Sequence, residues 1–314
     1  HEVKVTGLAA YGDADRHLDE FRRLLRYDSA RRRFVAPEVA RLYRDLDGIT
    51  PTLERLCSGD EPAHVAAAMQ SVTEEVITAL CADAVTATGI PNLALAGGIF
   101  ANVKLNQRLL DLDVVDDVYV HPNMGDGGLA AGAALQVAAD ERPADERLLP
   151  SFRSDVYLGP EYTDDEVGAV LQSQGRSFTE CDDIEDRVGQ LLSEGTVVAR
   201  HAGRMEYGPR ALGNRSLLVQ PTDPTVNDWL NARLERTEFM PFAPATLEEH
   251  AADFFLGWRP EQVAARFMTI TYDTAKSARD QAPATVHVDD TARPQIVRHQ
   301  DNPSYHRIID AYGA

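Results

Sequence analysis

The sequence predicts an α/β protein, because short apolar strands alternate with helical patterns along most of its 314 residues. Twice in the first half, a strand leads through a glycine-rich turn into a helix: residues 93–96 lead to Gly97 and Gly98, and residues 118–121 lead to a Gly-Asp-Gly-Gly turn. The alternation continues beyond residue 155. A chain of this length can form roughly two domains, each with its own core.

Each element follows from apolar spacing and end signals. Residues 14–56 place leucine and phenylalanine at helical spacing, which predicts mostly helix and loop. Residues 62–88 carry a long helical pattern that stops at Gly89, a residue typical of helix ends. The other expected elements of this half are strands at 93–96 and 118–121, a helix at about 102–110 and an alanine-rich helix after residue 128.

Residues 139–154 are the best candidate for a linker, because prolines and many charges interrupt the pattern there. We therefore place the domains at 1–149 and 150–314. The second half predicts a strand at 156–158, helices at 164–172 and 184–193, a strand at 197–201 and a last helix at about 305–312. This order predicts a second α/β domain with a mixed sheet.

Composition limits the classes of function. The net charge of −19 repels nucleic-acid phosphates, which argues against a nonspecific DNA or RNA binder. Apolar stretches are interrupted well short of the ~20 residues of a membrane-spanning helix, and the start resembles no signal peptide. We therefore expect a cytoplasmic protein without a membrane partner. Cys57, Cys81 and Cys181 are widely spaced, which predicts buried thiols instead of a zinc site or disulfides.

Two glycine turns are candidate ligand sites. In LALAGGIFANVKLNQRL, Gly97 and Gly98 either cradle a phosphate or form a simple tight turn, and Asn102 either lines that site or caps the helix. In HPNMGDGGLAAGAAL, Asp126 follows a strand, where α/β proteins usually bind ligands and a carboxylate can hold a metal ion. The alternative for Asp126 is an ordinary turn or cap residue.

Arginine supplies nearly all the positive charge, and RHAGRMEYGPRALGNRS concentrates it in Arg200, Arg204, Arg210 and Arg215. The interleaved glycines favour phosphate or carboxylate binding. The alternative is a solvated network of ion pairs with the abundant acids.

Two further segments carry aromatic or polar residues. In ERTEFMPFAPATLEEH, Phe239 and Phe242 are expected in a core. ATVHVDDTARPQIV places His287, Asp289 and Arg293 on or beside a strand.

Six segments in this order resemble the NodU-type O-carbamoyltransferase family. They are VKVTGLAAYGD, LALAGGIFANVKLNQRL, NMGDGGLAAGAAL, GRMEYGPRALGNRS, RTEFMPFAPATLEEH and HVDDTARPQIV. The resemblance implies part of an actin/hexokinase-like ATPase domain followed by a YrdC-like domain. It also implies a reaction in which carbamoyl phosphate and ATP form carbamoyl adenylate, and the carbamoyl group then passes to a hydroxyl of a small molecule.

The resemblance also implies roles for single residues. Arg204 and Arg210 would contact carbamoyl phosphate or nucleotide phosphates as catalytic residues, with Arg210 the first choice. Asp126 would be catalytic as a ligand of iron, magnesium or another divalent metal. The residues that would bind the nucleotide or adenylate are Lys4, Gly97, Gly98, Asn102, Gly125, Glu206, Tyr207, Asn214, Arg215 and Arg293.

The sequence departs from the family pattern in three ways. The HxxxH metal ligands do not occur, a segment that follows the last helix in relatives is missing, and Arg236 lies where many relatives have lysine. We therefore expect a chain cut at both ends that does not turn over by itself. Alternatives are an ATPase similar to the tRNA threonylcarbamoyl-transferring proteins, or a non-catalytic nucleotide-binding domain. A homodimer is possible.

Overall fold

The computed structural model describes residues 2–36, 58–143, 155–235 and 240–313, in which helices and short strands alternate as the sequence predicts. The α/β class is therefore confirmed. The actin/hexokinase-like and YrdC-like assignments and the boundary at residue 149 stay predictions. Arg236, Phe239 and Cys57 lie outside the described residues.

The described helices are α1 (Glu2–Ala9), α2 (Leu18–Leu24), α3 (Pro62–Thr88), α4 (Val103–Leu110), α5 (Leu129–Asp140), α6 (Asp164–Ser173), α7 (Ile184–Ser193), α8 (Val226–Arg233), α9 (Ala251–Phe254), α10 (Lys276–Gln281) and α11 (Pro303–Gly313). The described strands are β1 (Arg26–Asp28), β2 (Arg33–Val35), β3 (Asn92–Leu95), β4 (Asp117–Val120), β5 (Val198–His201), β6 (Arg215–Leu218), β7 (Ala245–Leu247), β8 (Tyr272–Asp273), β9 (Thr291–Ala292) and β10 (Gln295–Val297).

The first core forms around α3 and the parallel pair of β3 and β4. Leu95 of β3 lies opposite Val120 of β4, and both side chains are buried. The remaining buried members of this core are Cys81, Val85, Leu105, Leu109, Val115, Val118 and Met124. Cys81 is buried as predicted, whereas Cys181 is exposed, against the expectation of a buried thiol.

Helix α3 ends at Gly89, whose φ of 69° lies in the left-handed region that glycine adopts without strain. Among the described helices, α3 alone is long and apolar enough to cross a membrane. That criterion is weak evidence, because buried core helices of globular proteins meet it too. Val72 and Val76 are indeed buried inside the protein.

The strands of the described residues pair two by two, so the mixed sheet expected in the second half is not formed there. β5 with β6 and β8 with β9 are antiparallel, and β7 with β10 is parallel. The strand predicted at 156–158 is a single bridge between Tyr157 and Glu206, because the arginine-rich loop takes the place of a partner strand. The hairpin of β1 and β2 was not predicted.

Helix α4 belongs to the first core and also joins the two halves of the chain. Asn106 and Gln107 are buried, although both are polar. Asn106 donates to the carbonyl of Thr269 at 2.7 Å, and Gln107 donates to Asp273 at 2.9 Å. These buried polar bonds give the two halves a defined register.

Candidate functional site

The candidate site lies at the carboxyl ends of β3 and β4, the edge at which α/β proteins usually bind ligands. The turn after β3 and the loop after β4 touch there, since Gly97 N–H donates to the carbonyl of Met124 at 2.7 Å. The two glycine motifs that the sequence singled out are therefore neighbours in space.

The turn after β3 requires glycine at one position. Gly97 has φ of 123°, a conformation in which other residues are strained, whereas Gly98 begins a 3-10 turn with ordinary φ. Asn102 accepts from Leu105 N–H at 3.0 Å and exchanges hydrogen bonds with Gln70. The capping alternative thus describes Asn102 in this structure.

The arginine-rich loop is organised by a buried carboxylate. Oε1 of Glu206 accepts the backbone N–H groups of Leu212, Asn214 and Arg215 at 2.8, 2.7 and 3.0 Å. Glu206 is 7% exposed, so these bonds satisfy a carboxyl oxygen that is largely removed from water. The side chain of Asn214 extends the network by donating to the carbonyl of Arg204 at 2.8 Å.

This loop packs against the loop after β4. A Cβ atom at Gly208 would lie 2.9 Å from the carbonyl oxygen of Pro122, so the two backbones meet where only glycine fits. The Tyr207 hydroxyl lies 3.3 Å from Nε2 of His121, and burial lowers the pKa of His121. The arginine-rich motif and both glycine motifs therefore form one junction.

Arg210 lies at this junction with an incomplete set of partners. Its Nη2 atom lies 3.5 Å from the carbonyl oxygen of Ala101, and its buried Nε atom has no hydrogen-bond partner among the described residues. Burial lowers the pKa of Arg210 to about 10, so the side chain stays charged at neutral pH. A buried cation without a carboxylate partner is typical of a site for an anionic ligand.

Arg293 lines the same cleft as Arg210. Its Nε atom is also buried, and no hydrogen-bond partner for it occurs in the part of the chain that the structure describes. The cleft has a volume of about 1140 Å³. Its large apolar lining residues include Leu230, Met240, Phe242, Phe254, Phe255, Tyr305, Ile308 and Ile309. Phe242, which the sequence places in a core, is half-buried at this cleft instead.

The other three arginines of the motif have protein partners. Arg215 donates to the carbonyls of Ala202, Asn214, Gly203 and Pro160 at 2.9 to 3.3 Å. Arg204 is exposed and makes an ion pair of 3.4 Å with Glu161. Arg200 donates to Ser304 at 3.0 Å. The alternative of ion pairs with acids therefore describes Arg204, whereas Arg215 is held by carbonyls. Among the described residues, Arg200 resembles Arg210 in having a buried Nε atom without a hydrogen-bond partner, but Arg210 is the one of these two that lines the cleft.

Asp126 is exposed in a 3-10 turn directly after Gly125. Across the described ranges, no group of three or more His, Cys, Asp or Glu side chains is arranged to hold a metal ion. Asp126 supplies one carboxylate, and these residues do not complete a metal site. Lys4 lies on α1, which packs on α3 and contacts the Gly98–Ala101 turn.

Sequence reasoning missed His121, the carbonyl of Ala101 and Lys104. The one signal for His121 is its position at the end of the strand pattern, four residues before Gly125 of the second glycine turn. Lys104 makes an ion pair of 3.0 Å with Asp289. No local pattern marks Lys104 or Ala101, because their partners lie in the other half of the chain.

Two family models match the sequence. The model described as the carbamoyltransferase N-terminus matches residues 1–135, and the model described as the carbamoyltransferase C-terminus matches residues 189–314. The arginine-rich loop and the cleft lie in the second match, and the glycine turns lie in the first.

The chain is similar to curated proteins along nearly its whole length. It is 34% identical to nodulation protein NolO of Bradyrhizobium diazoefficiens, over 99% of this chain and 57% of that protein. It is also 34% identical to nodulation protein NolNO of Sinorhizobium fredii, over 99% of this chain and 46% of that protein. An uncharacterized protein of Methanocaldococcus jannaschii is 33% identical over 81% of this chain and 41% of its own length. The chain spans about half the length of these relatives.

Proposed function

The chain belongs to the carbamoyltransferase family, and we propose that its protein transfers a carbamoyl group, activated by ATP as carbamoyl adenylate, to a hydroxyl of a small molecule. The observation that carries this proposal is the pair of guanidinium groups at one cleft. Arg210 and Arg293 both line it, and both have a buried Nε atom for which the described ranges supply no partner.

The cleft has the chemistry that an adenylate needs. Two guanidinium groups supply N–H donors and positive charge for phosphate oxygens. The apolar and aromatic lining, of which Phe242 and Tyr305 are members, suits a planar base. A volume of about 1140 Å³ is large enough for a nucleotide and a small co-substrate.

The proposed reaction balances in two stages. Carbamoyl phosphate, ATP and one water give carbamoyl adenylate, pyrophosphate and phosphate. The oxygen of the acceptor hydroxyl then forms a bond to the carbamoyl carbon, and the bond from that carbon to the AMP oxygen breaks. AMP leaves with the electron pair, and the hydroxyl proton is released. Activation therefore provides a good leaving group for a poor electrophile.

In this scheme Arg210 binds the phosphates and offsets the charge that develops on them, and Arg293 contacts the adenylate. The turn from Gly97 to Ala101 lies beside Arg210 and would receive the activated group. Asp126 stays a prediction as a metal ligand. A divalent metal would polarise the carbamoyl carbonyl, but no step is assigned to it because the described residues do not complete its site.

Pyrophosphate release from ATP by the complete polypeptide, with and without carbamoyl phosphate, tests the proposal. We expect release that depends on carbamoyl phosphate and falls about tenfold to hundredfold in Arg210→Met and Arg293→Met, which lose charge-assisted bonds to phosphate. Arg176→Met is a matched control, because Arg176 is an exposed surface residue. Pyrophosphate release that does not depend on carbamoyl phosphate would overturn the proposal. Release that is unchanged in both cleft variants would overturn it as well.

A further inference from the structure

A polar cluster joins α4 of the first half to the turn between residues 286 and 291 of the second half. Lys104 Nζ lies 3.0 Å from Oδ2 of Asp289, and the two side chains are 16% and 29% exposed. A partly buried ion pair of this kind is less screened by solvent than a surface pair. It links two elements that are far apart in the sequence.

Asp289 is held in place from its own turn as well. Its Oδ1 atom accepts from the Thr291 hydroxyl at 2.6 Å and from Thr291 N–H at 3.3 Å, and it lies 3.3 Å from Nδ1 of His287. Burial opposes its ionisation, but the hydrogen bonds from His287 and Thr291, together with Lys104, keep the pKa of Asp289 well below its usual range. Asp289 is therefore a fixed anion whose second oxygen faces Lys104.

The turn that carries Asp289 lies in the sequence between two residues that line the cleft. His287 N–H donates to the carbonyl of Thr291 at 2.8 Å and closes the turn. Thr285 on one side of the turn and Arg293 on the other both line the cleft. Arg293 lies four residues after Asp289, so a ligand that Arg293 binds can act on the position of Asp289 through a short connection.

Lys104 lies on the opposite side of the ion pair, close to the glycine turn. It belongs to the first turn of α4, whose cap is Asn102, and the 3-10 turn Gly98–Ala101 ends directly before that cap. The carbonyl of Ala101 is the group that approaches Arg210. Lys104 is thus connected through one turn of helix to the place where the activated group would be received.

His287 adds a third contact to this cluster. Its side chain is 6% exposed, and the ring of Tyr11 meets it edge to face with centroids 5.7 Å apart. Nε2 of His287 is buried, and none of the residues that the structure describes makes a hydrogen bond with it. Tyr11 follows α1, which also contacts the Gly98–Ala101 turn. The cluster therefore touches that turn from two directions.

We propose that Lys104 and Asp289 are positioning residues, whose ion pair couples ligand binding in the cleft to the Gly97–Ala101 turn that would receive the carbamoyl group. This inference rests on the proposed function. Packing alone does not need the pair, because Asn106 and Gln107 of α4 already bond to the second half. Removal of Lys104 should therefore uncouple the turn from the cleft without separating the halves.

Hydrogen exchange on the complete polypeptide tests the coupling, with ATP plus carbamoyl phosphate as the probe. In the native protein we expect slower exchange in residues 240–247 of the cleft and, by about fivefold or more, in residues 97–102. Lys104→Met should keep the protection of the cleft and lose that of the turn. Lys104→Arg should restore it, because the charge returns. Lys276→Met removes an exposed lysine and should behave as native protein.

The outcomes separate the coupling from the function on which it depends. Absence of protection at 240–247 in the native protein would count against the proposed function. Protection of the cleft without an effect on 97–102, or an effect that persists in Lys104→Met, would overturn the coupling alone. In the double variant Lys104→Met with Asp289→Asn, the loss of turn protection should be no larger than in Lys104→Met, since both changes remove one interaction. A larger loss in the double variant would also count against the coupling.

Discussion

The Tyr207 hydroxyl lies 3.3 Å from Nε2 of His121, and the two rings meet with centroids 5.8 Å apart and an interplanar angle of 72°. Tyr207 belongs to the arginine-rich loop and His121 to the loop after β4. Since Gly208 touches Pro122 beside them, the two loops are expected to move as one unit.

His121 should make the folded protein sensitive to acid. Burial lowers its pKa below the value of 6.5 that it has in an unfolded chain. The unfolded chain therefore binds more protons as the pH falls through 6.5, and the free energy of unfolding decreases there. His121→Gln should show a smaller loss of stability between pH 7 and about pH 5 in urea unfolding. Equal losses in the two proteins would contradict the burial effect.

Glu206 should be the most sensitive position of the arginine-rich loop. Glu206→Ala leaves two buried N–H groups and one partly buried N–H group without an acceptor and should lower the free energy of unfolding by roughly 3 kcal/mol or more. Glu206→Gln keeps an oxygen that can accept some of these bonds, so a loss of about 1–2 kcal/mol is expected. Denaturant unfolding compares the two. If Glu206→Ala left the free energy of unfolding unchanged, the loop would not depend on this carboxylate.

Arg215 and Arg204 should contribute differently to the stability of the protein, although they belong to the same motif. Arg215→Lys replaces a planar fork that reaches four carbonyls by a single ammonium group, which should cost about 1–2 kcal/mol. Arg204→Met removes an exposed ion pair and should change stability by less than about 0.5 kcal/mol. Unfolding midpoints measured side by side would show the difference. An equal effect would place both side chains in the same kind of environment.

Gly97 and Gly98 form a matched pair for a test of the first turn. Gly97→Ala forces a side chain into φ of 123° and should cost roughly 1–3 kcal/mol. Gly98 has ordinary φ and open space where a Cβ atom would lie, so Gly98→Ala should be close to neutral. Thermal unfolding of the two variants distinguishes local strain from a general need for glycine. A stable Gly97→Ala would show that the turn can adopt another conformation.

Elements whose pattern is local were predictable from the sequence, and those that depend on distant partners were not. α7 begins and ends at the predicted residues, 184 and 193, because its periodic apolar residues specify one buried face. The segment 156–158 has the composition of a strand, but its partner is the loop around Glu206. Its conformation therefore depends on a contact that no local window contains.

The candidate site also contains some residues that could be selected from the sequence and others that could not. Gly97, Arg210 and Arg293 could be selected from residue type and spacing, and the structure places the two arginines at one cleft. Residue type could not distinguish Arg210 from Arg215, because the difference lies in the carbonyls that surround each guanidinium group. The sequence drew attention to Asp289 beside a strand, but no local pattern could pair it with Lys104, which lies in the other half of the chain.

The buried amides of Asn106 and Gln107 have a consequence for fragments of this protein. A chain opened between residues 143 and 155 would leave α4 on one piece and its partners Thr269 and Asp273 on the other. Each piece would then expose an apolar surface with donors and acceptors that fit the other piece. Mixed fragments should therefore recombine by complementation, whereas either fragment alone should aggregate or bind chaperones.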